Sequence, residues 1–163
     1  MPLDRAWIEK HIPHQGSMCL LDAVIEWDSQ HIRCRSATHR LPNHPLRSQG
    51  RLGAACGIEY AAQAMAVHGA LAGGASTDGV PGEGESRDAP GFGPETGFLA
   101  SVREVRLHVL RLDDIDTDLI CEATRLAGDT VTALYEFALW SEAHRLLCGR
   151  ATVVLDGNKR LNL

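Results

Sequence analysis

The chain has 163 residues, of which 44% are hydrophobic and 23% charged, and it carries a formal net charge of −5. That length suits one compact domain of residues 1–163, and the acidic balance argues against a nucleic-acid binder. Five cysteines, an odd number with no Cys-x-x-Cys pair, predict free thiols in a reducing compartment rather than a disulfide framework or a zinc ribbon. The opening MPLDRAWIEKHIPH lacks an apolar signal core. The one long apolar run, Arg51 to Ala72, contains Glu59, Gln63 and His68, which argues against a membrane span. A cytoplasmic location is the default expectation.

In chain order, Asp4 is a suitable N-cap for a short helix, RAWIEKHI, stopped by Pro13. MCLLDAVIEW reads as a strand and Asp28-Ser29 as a turn. In QHIRCRSAT, Ile32, Cys34 and Ser36 alternate with charged residues, the pattern of a half-buried strand. LPNHPLRSQG is a loop punctuated by two prolines and a glycine. From Leu52 to Ala72 the alanine content and the absence of proline favour a helix. Its apolar character on nearly all sides implies protein around it. Residues 73–96 are rich in glycine and proline and read as a flexible insertion. GFLASVREVRLHVL follows as a long strand whose apolar phase shifts between Val102 and Val105, as at a bulge. TDLICEATRLA and TVTALYEFALW form a hairpin through Gly128-Asp129, and RLLCGRATVVL is the last strand. Two strands, one long helix and four strands predict an α+β fold. An antiparallel curved sheet of about six strands would wrap one central helix, the architecture called a hotdog.

Glu59 stands out in the helical run. A carboxylate there is costly to desolvate and tends toward a raised pKa, so it is kept for chemistry or tightly paired; the alternative is a helix face that meets solvent or a neighbouring subunit. Gln63, at i+4, shares its face. In the preceding loop, His44 lies within Asn43-His44-Pro45, 15 residues before Glu59, and histidine is the natural general base near neutral pH. A loop histidine also has ordinary structural uses.

Three stretches resemble the β-hydroxyacyl-acyl carrier protein dehydratases of fatty-acid synthesis: IPHQGSMCLLDAVIEW with His14 and Asp22; His44 followed by IEYAAQA with Glu59 and Ala62-Gln63; and the closing strands GFLASVREVRLHVL, LICEAT, YEFALW and CGRATVVL. HPLR ahead of GIEYAAQAMAVHGAL resembles the hotdog dehydratases of aryl-polyene biosynthesis more closely still. The resemblance implies an active site at a dimer interface, with the histidine of one subunit facing the carboxylate of the other. His44 would remove the α-proton of a 3-hydroxyacyl thioester. Glu59 would protonate or orient the departing hydroxyl, keeping its proton through burial. Backbone N–H groups at the helix start, near Gly53, would polarise the thioester carbonyl. Two departures stand against the pattern: the His44–Glu59 separation is one residue longer than in the fatty-acid enzymes, and RLGAACG replaces their Pro-Gly turn. His39 is the fallback base, Gln63 a hydrogen-bonding neighbour of Glu59, and His14 a residue that fixes the first loop.

Between Arg33 and Arg51 lie five arginines, Arg47 among them, and no acidic residue. As one patch they would receive an acidic acyl carrier protein and the phosphate of its phosphopantetheine arm; as separate strand charges they would be solvated. No cofactor beyond that carried arm is expected. DDIDTD, from Asp113 to Asp118, reads as an acidic turn rather than a calcium loop, and no metal site is expected. The expected partners are the carrier protein and a second hotdog subunit, identical or related. Two rivals remain open. A hotdog thioesterase would use Glu59 to activate water without His44, and a non-catalytic subunit would only bind carrier thioesters.

Overall fold

The computed structural model describes residues 3–74 and 98–154. Helix α1 spans Arg5–His11, and the Asp4 carboxylate accepts the Trp7 N–H at 3.0 Å as its N-cap. Strands β1 (Ala23–Trp27) and β2 (His31–Ser36) precede helix α2 (Gly57–Gly74). Strands β3 (Phe98–Leu107), β4 (Leu119–Gly128), β5 (Thr132–Ser141) and β6 (His144–Val154) follow. The six strands form one antiparallel sheet in the order β1-β2-β4-β5-β6-β3. This is the hotdog arrangement that the order of elements predicts.

The core follows from strand alternation. Ile32, Cys34 and Ser36 of β2 are buried with Leu119, Cys121 and Ala123 of β4 and Tyr135, Phe137 and Leu139 of β5. Against them α2 lays Tyr60, Ala61, Ala64, Met65 and Val67, so that no residue from Gly57 to Ala72 is exposed. Small side chains let the helix sit close to the sheet. Gly57 is the tightest point, where a Cβ would overlap Leu147 Cδ2 and lie 3.0 Å from Leu139 Cδ2. The sheet's other face is ionic, with Arg33 of β2 bonded to Glu122, its register partner on β4, at 3.0 Å.

Several boundaries differ from the sequence reading. The first strand begins at Ala23, not Met18, because residues 16–18 form a 3₁₀ turn. Leu20 then gives its N–H to Gln63 Oε1 and its carbonyl to two hydroxyls instead of a ladder. Helix α2 begins at Gly57 rather than Leu52. Leu52 donates to Asp113 Oδ1 and accepts from Leu112 N–H, and Ala54 donates to the Leu110 carbonyl, which ties residues 52–54 to the segment after β3. A 3₁₀ turn at Ala54–Cys56 joins that tie to the helix. Strand β3 shifts register against β6 twice, between Leu99 and Ser101 and between Arg103 and Arg106, with Glu104 at φ +54° in the second. The Gly128-Asp129 hairpin joins β4 to β5, with Asp129 Oδ1 accepting from Val131 and Thr132 N–H. All five cysteines are free. The insertion expected at 73–96 lies, beyond Gly74, outside the described residues.

Candidate active site

Glu59 projects from the first turn of α2 with a third of its side chain exposed. His14 Nε2 lies 3.1 Å from Glu59 Oε1. Gln63, one turn on, donates through Nε2 to the same oxygen at 3.4 Å. The hydrogen bond from His14 is the main influence on Glu59 and holds its carboxyl below the ordinary value of 4.5; burial pushes the other way and Gln63 assists. The direction is opposite to the one expected from burial alone. Glu59 is therefore ionised at neutral pH and presents a hydrogen-bond-accepting carboxylate.

Gln63 is fully buried. Its Oε1 accepts the Leu20 N–H at 2.8 Å and its Nε2 donates to the Met18 carbonyl at 2.7 Å. It thus pins the segment after His14 onto α2, so the His14–Glu59 distance is set by a bonded bridge rather than by loose loop packing. Within this chain it serves structure and touches the candidate site only through Glu59.

His44 is turned into the chain's own interior and is 4% exposed. Its Nδ1 accepts the Leu46 N–H at 3.0 Å, which places the proton of the neutral ring on Nε2. Nε2–H then donates to the Tyr60 hydroxyl at 3.0 Å. The Tyr60 hydroxyl in turn donates to Thr38 Oγ1 at 2.8 Å, and Thr38 Oγ1 donates to the Leu20 carbonyl, also at 2.8 Å. Ser36 Oγ donates to the same carbonyl at 2.5 Å. Burial lowers the pKa of His44, with Arg47 and His39 adding repulsion, so the ring stays neutral. Within one chain His44 bonds to Tyr60 and Leu46 rather than to Glu59. His39, the fallback base, is fully buried with Nε2 2.9 Å from the Ile115 carbonyl, and burial lowers its pKa too.

Gly53 is exposed, caps the 3₁₀ turn at Ala54–Cys56, and lies opposite Arg111 in an isolated bridge. Nothing approaches within 4 Å of where its Cβ would be, so a ligand could approach this backbone closely. The arginines of the 33–51 segment do not form a free patch. Arg33 pairs with Glu26 and Glu122, Arg35 and Arg40 with Asp118, and Arg47 donates to the Leu41 and Gly50 carbonyls with Asp113 at 3.8 Å. The acidic turn 113–118 is thus their counterpart, and Asp113, bonded to Arg111, is held well below the carboxylate range. Among the described residues Arg51 makes no ion pair and is exposed. No group of three or more metal-ligating side chains occurs among the described residues, and no helix there is long and apolar enough to cross a membrane. A groove of about 380 Å³ lies on the ionic face of the sheet, lined by Glu104, Glu122 and Glu136 against Arg106, Arg145 and Arg150, and does not include Glu59.

The model of the ApeP-like family, described as ApeP dehydratase, matches residues 6–160. The chain belongs to the ApeP-like dehydratase family. It is similar in structure to the dehydratase heterocomplex ApeI:P from Xenorhabdus doucetiae, at 23% identity and a TM-score of 0.76, over 99% of this chain and 95% of that one. A mutant thioesterase from Pseudomonas aeruginosa is 10% identical with a TM-score of 0.53, over 82% of this chain and 80% of that one. A hypothetical thioesterase from Streptococcus pneumoniae, solved with coenzyme A, is likewise 10% identical with a TM-score of 0.53, over 81% and 83%. At these identities the structural likeness is one of fold. No curated protein sequence matches the chain. The sequence marks Glu59 and Gln63 as candidates and His14 only as a loop-fixing residue, and it does not single out Tyr60, Thr38 or Ser36. A tyrosine next to the helix carboxylate, with hydroxyls in the preceding strand, was the available signal.

Proposed function

We propose that this member of the dehydratase family removes water from a 3-hydroxyacyl thioester, carried by an acyl carrier protein in aryl-polyene-type biosynthesis, and that Glu59 moves the proton. The carrying observation is the ionised, part-exposed Glu59 carboxylate held by His14 and Gln63. The Cα–H bond breaks with its proton passing to Glu59. Its electron pair forms the Cα–Cβ double bond as the Cβ–O bond breaks. The hydroxyl leaves with the proton from Glu59 as water, which returns the carboxylate to its starting state. The open backbone at Gly53 supports a role in approaching the thioester carbonyl. Arg51, rather than the internally bonded Arg47, suits the phosphate of the carrier arm.

The resemblance assigns base duty to His44 of a facing subunit. That duty needs a lone pair on Nε2, and that nitrogen keeps its proton and donates a hydrogen bond to the Tyr60 hydroxyl. Proton transfer therefore falls to Glu59, and His44 holds its loop against α2. A second hotdog subunit remains part of the proposal. Among the described residues β3 pairs only with β6, and Leu99, Val105, Leu107 and Leu110 are exposed along and just beyond it, an edge suited to a partner chain.

A thioesterase reading is favoured by one observation: an ionised carboxylate can equally activate water. Mass spectrometry of a short 3-hydroxyacyl-carrier incubated with the protein separates the two. Enoyl product, lost in Glu59→Gln, supports the dehydratase. Free hydroxy acid identifies the thioesterase. Retention of enoyl formation in Glu59→Gln would remove Glu59 from the mechanism.

A further inference from the structure

Among the described residues His14 Nδ1 is covered by protein and has no hydrogen-bond partner, although its other nitrogen lies on Glu59. His44 and His68 engage both nitrogens, whereas His14 and His39 each leave Nδ1 unbonded; His39 turns its other nitrogen to the Ile115 carbonyl, and His14 turns its own to a carboxylate. Glu59 ionised can only accept, so the proton of the neutral His14 ring sits on Nε2 and Nδ1 keeps a lone pair. The ring is thereby fixed in one tautomer, donating to one oxygen of one carboxylate.

We propose that His14 is the positioning residue of the site: it donates from Nε2 to Glu59 Oε1, turns Oε2 toward the substrate, and governs when the carboxylate carries a proton. The surroundings leave that control to few groups. On α2 the neighbour is Gln63, a neutral amide. On α1, which packs against α2, Arg5 and Glu9 pair with each other, and Arg5 also with Asp22. Among the described residues no lysine or arginine pairs with Glu59, and the side chains that act on its ionisation are His14 and Gln63. The Gln63 bridge to Met18 and Leu20 makes the His14 distance a property of the fold. Removing His14 therefore raises the carboxyl's proton affinity without dismantling the helix.

This inference rests on Glu59 being the reacting carboxylate, but its test does not. In full-length protein carrying ¹³C-labelled glutamate, with the Glu59 signal assigned by its loss in Glu59→Gln, the carboxyl is titrated by NMR. In the wild type its midpoint lies below 4.5, the ordinary value. In His14→Phe it rises by about 1 pH unit. In His14→Gln, which retains an N–H donor but cannot titrate, it returns part of the way. An unchanged midpoint in His14→Phe overturns the proposal. The ¹⁵N spectrum of His14 in the unsubstituted protein gives a second readout: an Nε2–H tautomer supports it, and an Nδ1–H tautomer overturns it. If dehydration is observed, the acid limb of its kcat/KM profile moves with the NMR midpoint in His14→Phe. A shifted midpoint without any dehydration would sink the function reading and leave the pair standing.

Discussion

Glu59 and Tyr60 are consecutive on α2 and each receives a histidine, yet the two pairs do opposite things. His14 meets Glu59 where a quarter to a third of each side chain is in contact with solvent. His44 meets Tyr60 where the tyrosine is fully buried and the bond continues through Thr38 to a backbone carbonyl. The first chain of bonds ends at an ionised, part-exposed carboxylate. The second ends at a satisfied carbonyl. A histidine whose two nitrogens are both committed inside its own chain holds structure, whereas one aimed at a part-exposed carboxylate controls charge. The hundred-degree step between neighbouring helix residues separates the two uses: residues 59 and 63 share one face, and residues 57, 60 and 64 the face on the sheet.

The largest expected effect breaks the comparison on its reactive side. Glu59→Gln keeps the shape and still accepts from His14, but it cannot take a proton. Dehydration should fall by roughly 10²–10⁴-fold while the thermal midpoint stays near wild type. A variant with unchanged turnover would show that the two pairs are alike in being structural. On the sheet side, Gly57→Ala places a Cβ into Leu147 and Leu139, an overpacked contact worth about 1–3 kcal/mol. Chemical denaturation should record that loss, and a stability equal to wild type would mean that the helix can lift from the sheet at no cost.

Tyr60→Phe is a gentler probe of the same face. It removes one hydroxyl and leaves His44 Nε2–H without an acceptor, at a cost of about 1–3 kcal/mol. Turnover per folded molecule should change little. A turnover loss as deep as that of Glu59→Gln, at intact stability, would return His44 and Tyr60 to the catalytic group and undo the contrast drawn between the pairs.

Most of the architecture was legible because it rests on periodicity. Ile32, Cys34 and Ser36 alternate as a strand that covers a helix must, and the Ala-rich run has the small side chains that close helix–sheet packing needs. The misplaced boundaries share one cause. At Leu20 and Leu52 the backbone is bonded by side chains from distant positions, Gln63 and Asp113, and no local propensity encodes such a partner. The same limit governs the site. Glu59 and Gln63 are visible as polar residues at i, i+4 in an apolar run, but the partner of Glu59 lies 45 positions earlier, in a stretch that reads as a loop. The Glu59 pKa is lowered rather than raised for this reason: burial is legible in the apolar run, and the bond from His14 is not. The arginine-rich segment likewise suggests an open patch until the fold brings Asp113 and Asp118 to it.

The smallest effects distinguish the two faces by pH. His39, His44 and His68 are buried and their pKa values are lowered by burial from 6.5. The unfolded chain therefore binds protons at these rings before the folded one does, so their contribution is fully present above pH 6.5 and is lost as pH falls from there toward the folded values. Glu59 also has a lowered pKa, but as a carboxyl its contribution is present above 4.5 and disappears only as pH falls through its folded value. Urea unfolding followed from about pH 8 down to about pH 4 should thus show a first decline below 6.5 that Glu59→Gln leaves untouched and that His68→Gln, which removes one titrating ring, makes shallower. The slope below 4.5 should be reduced in Glu59→Gln. A flat profile between pH 8 and pH 5 would mean that the buried rings are not held neutral, and the division between structural and charge-controlling histidines would lose its thermodynamic basis.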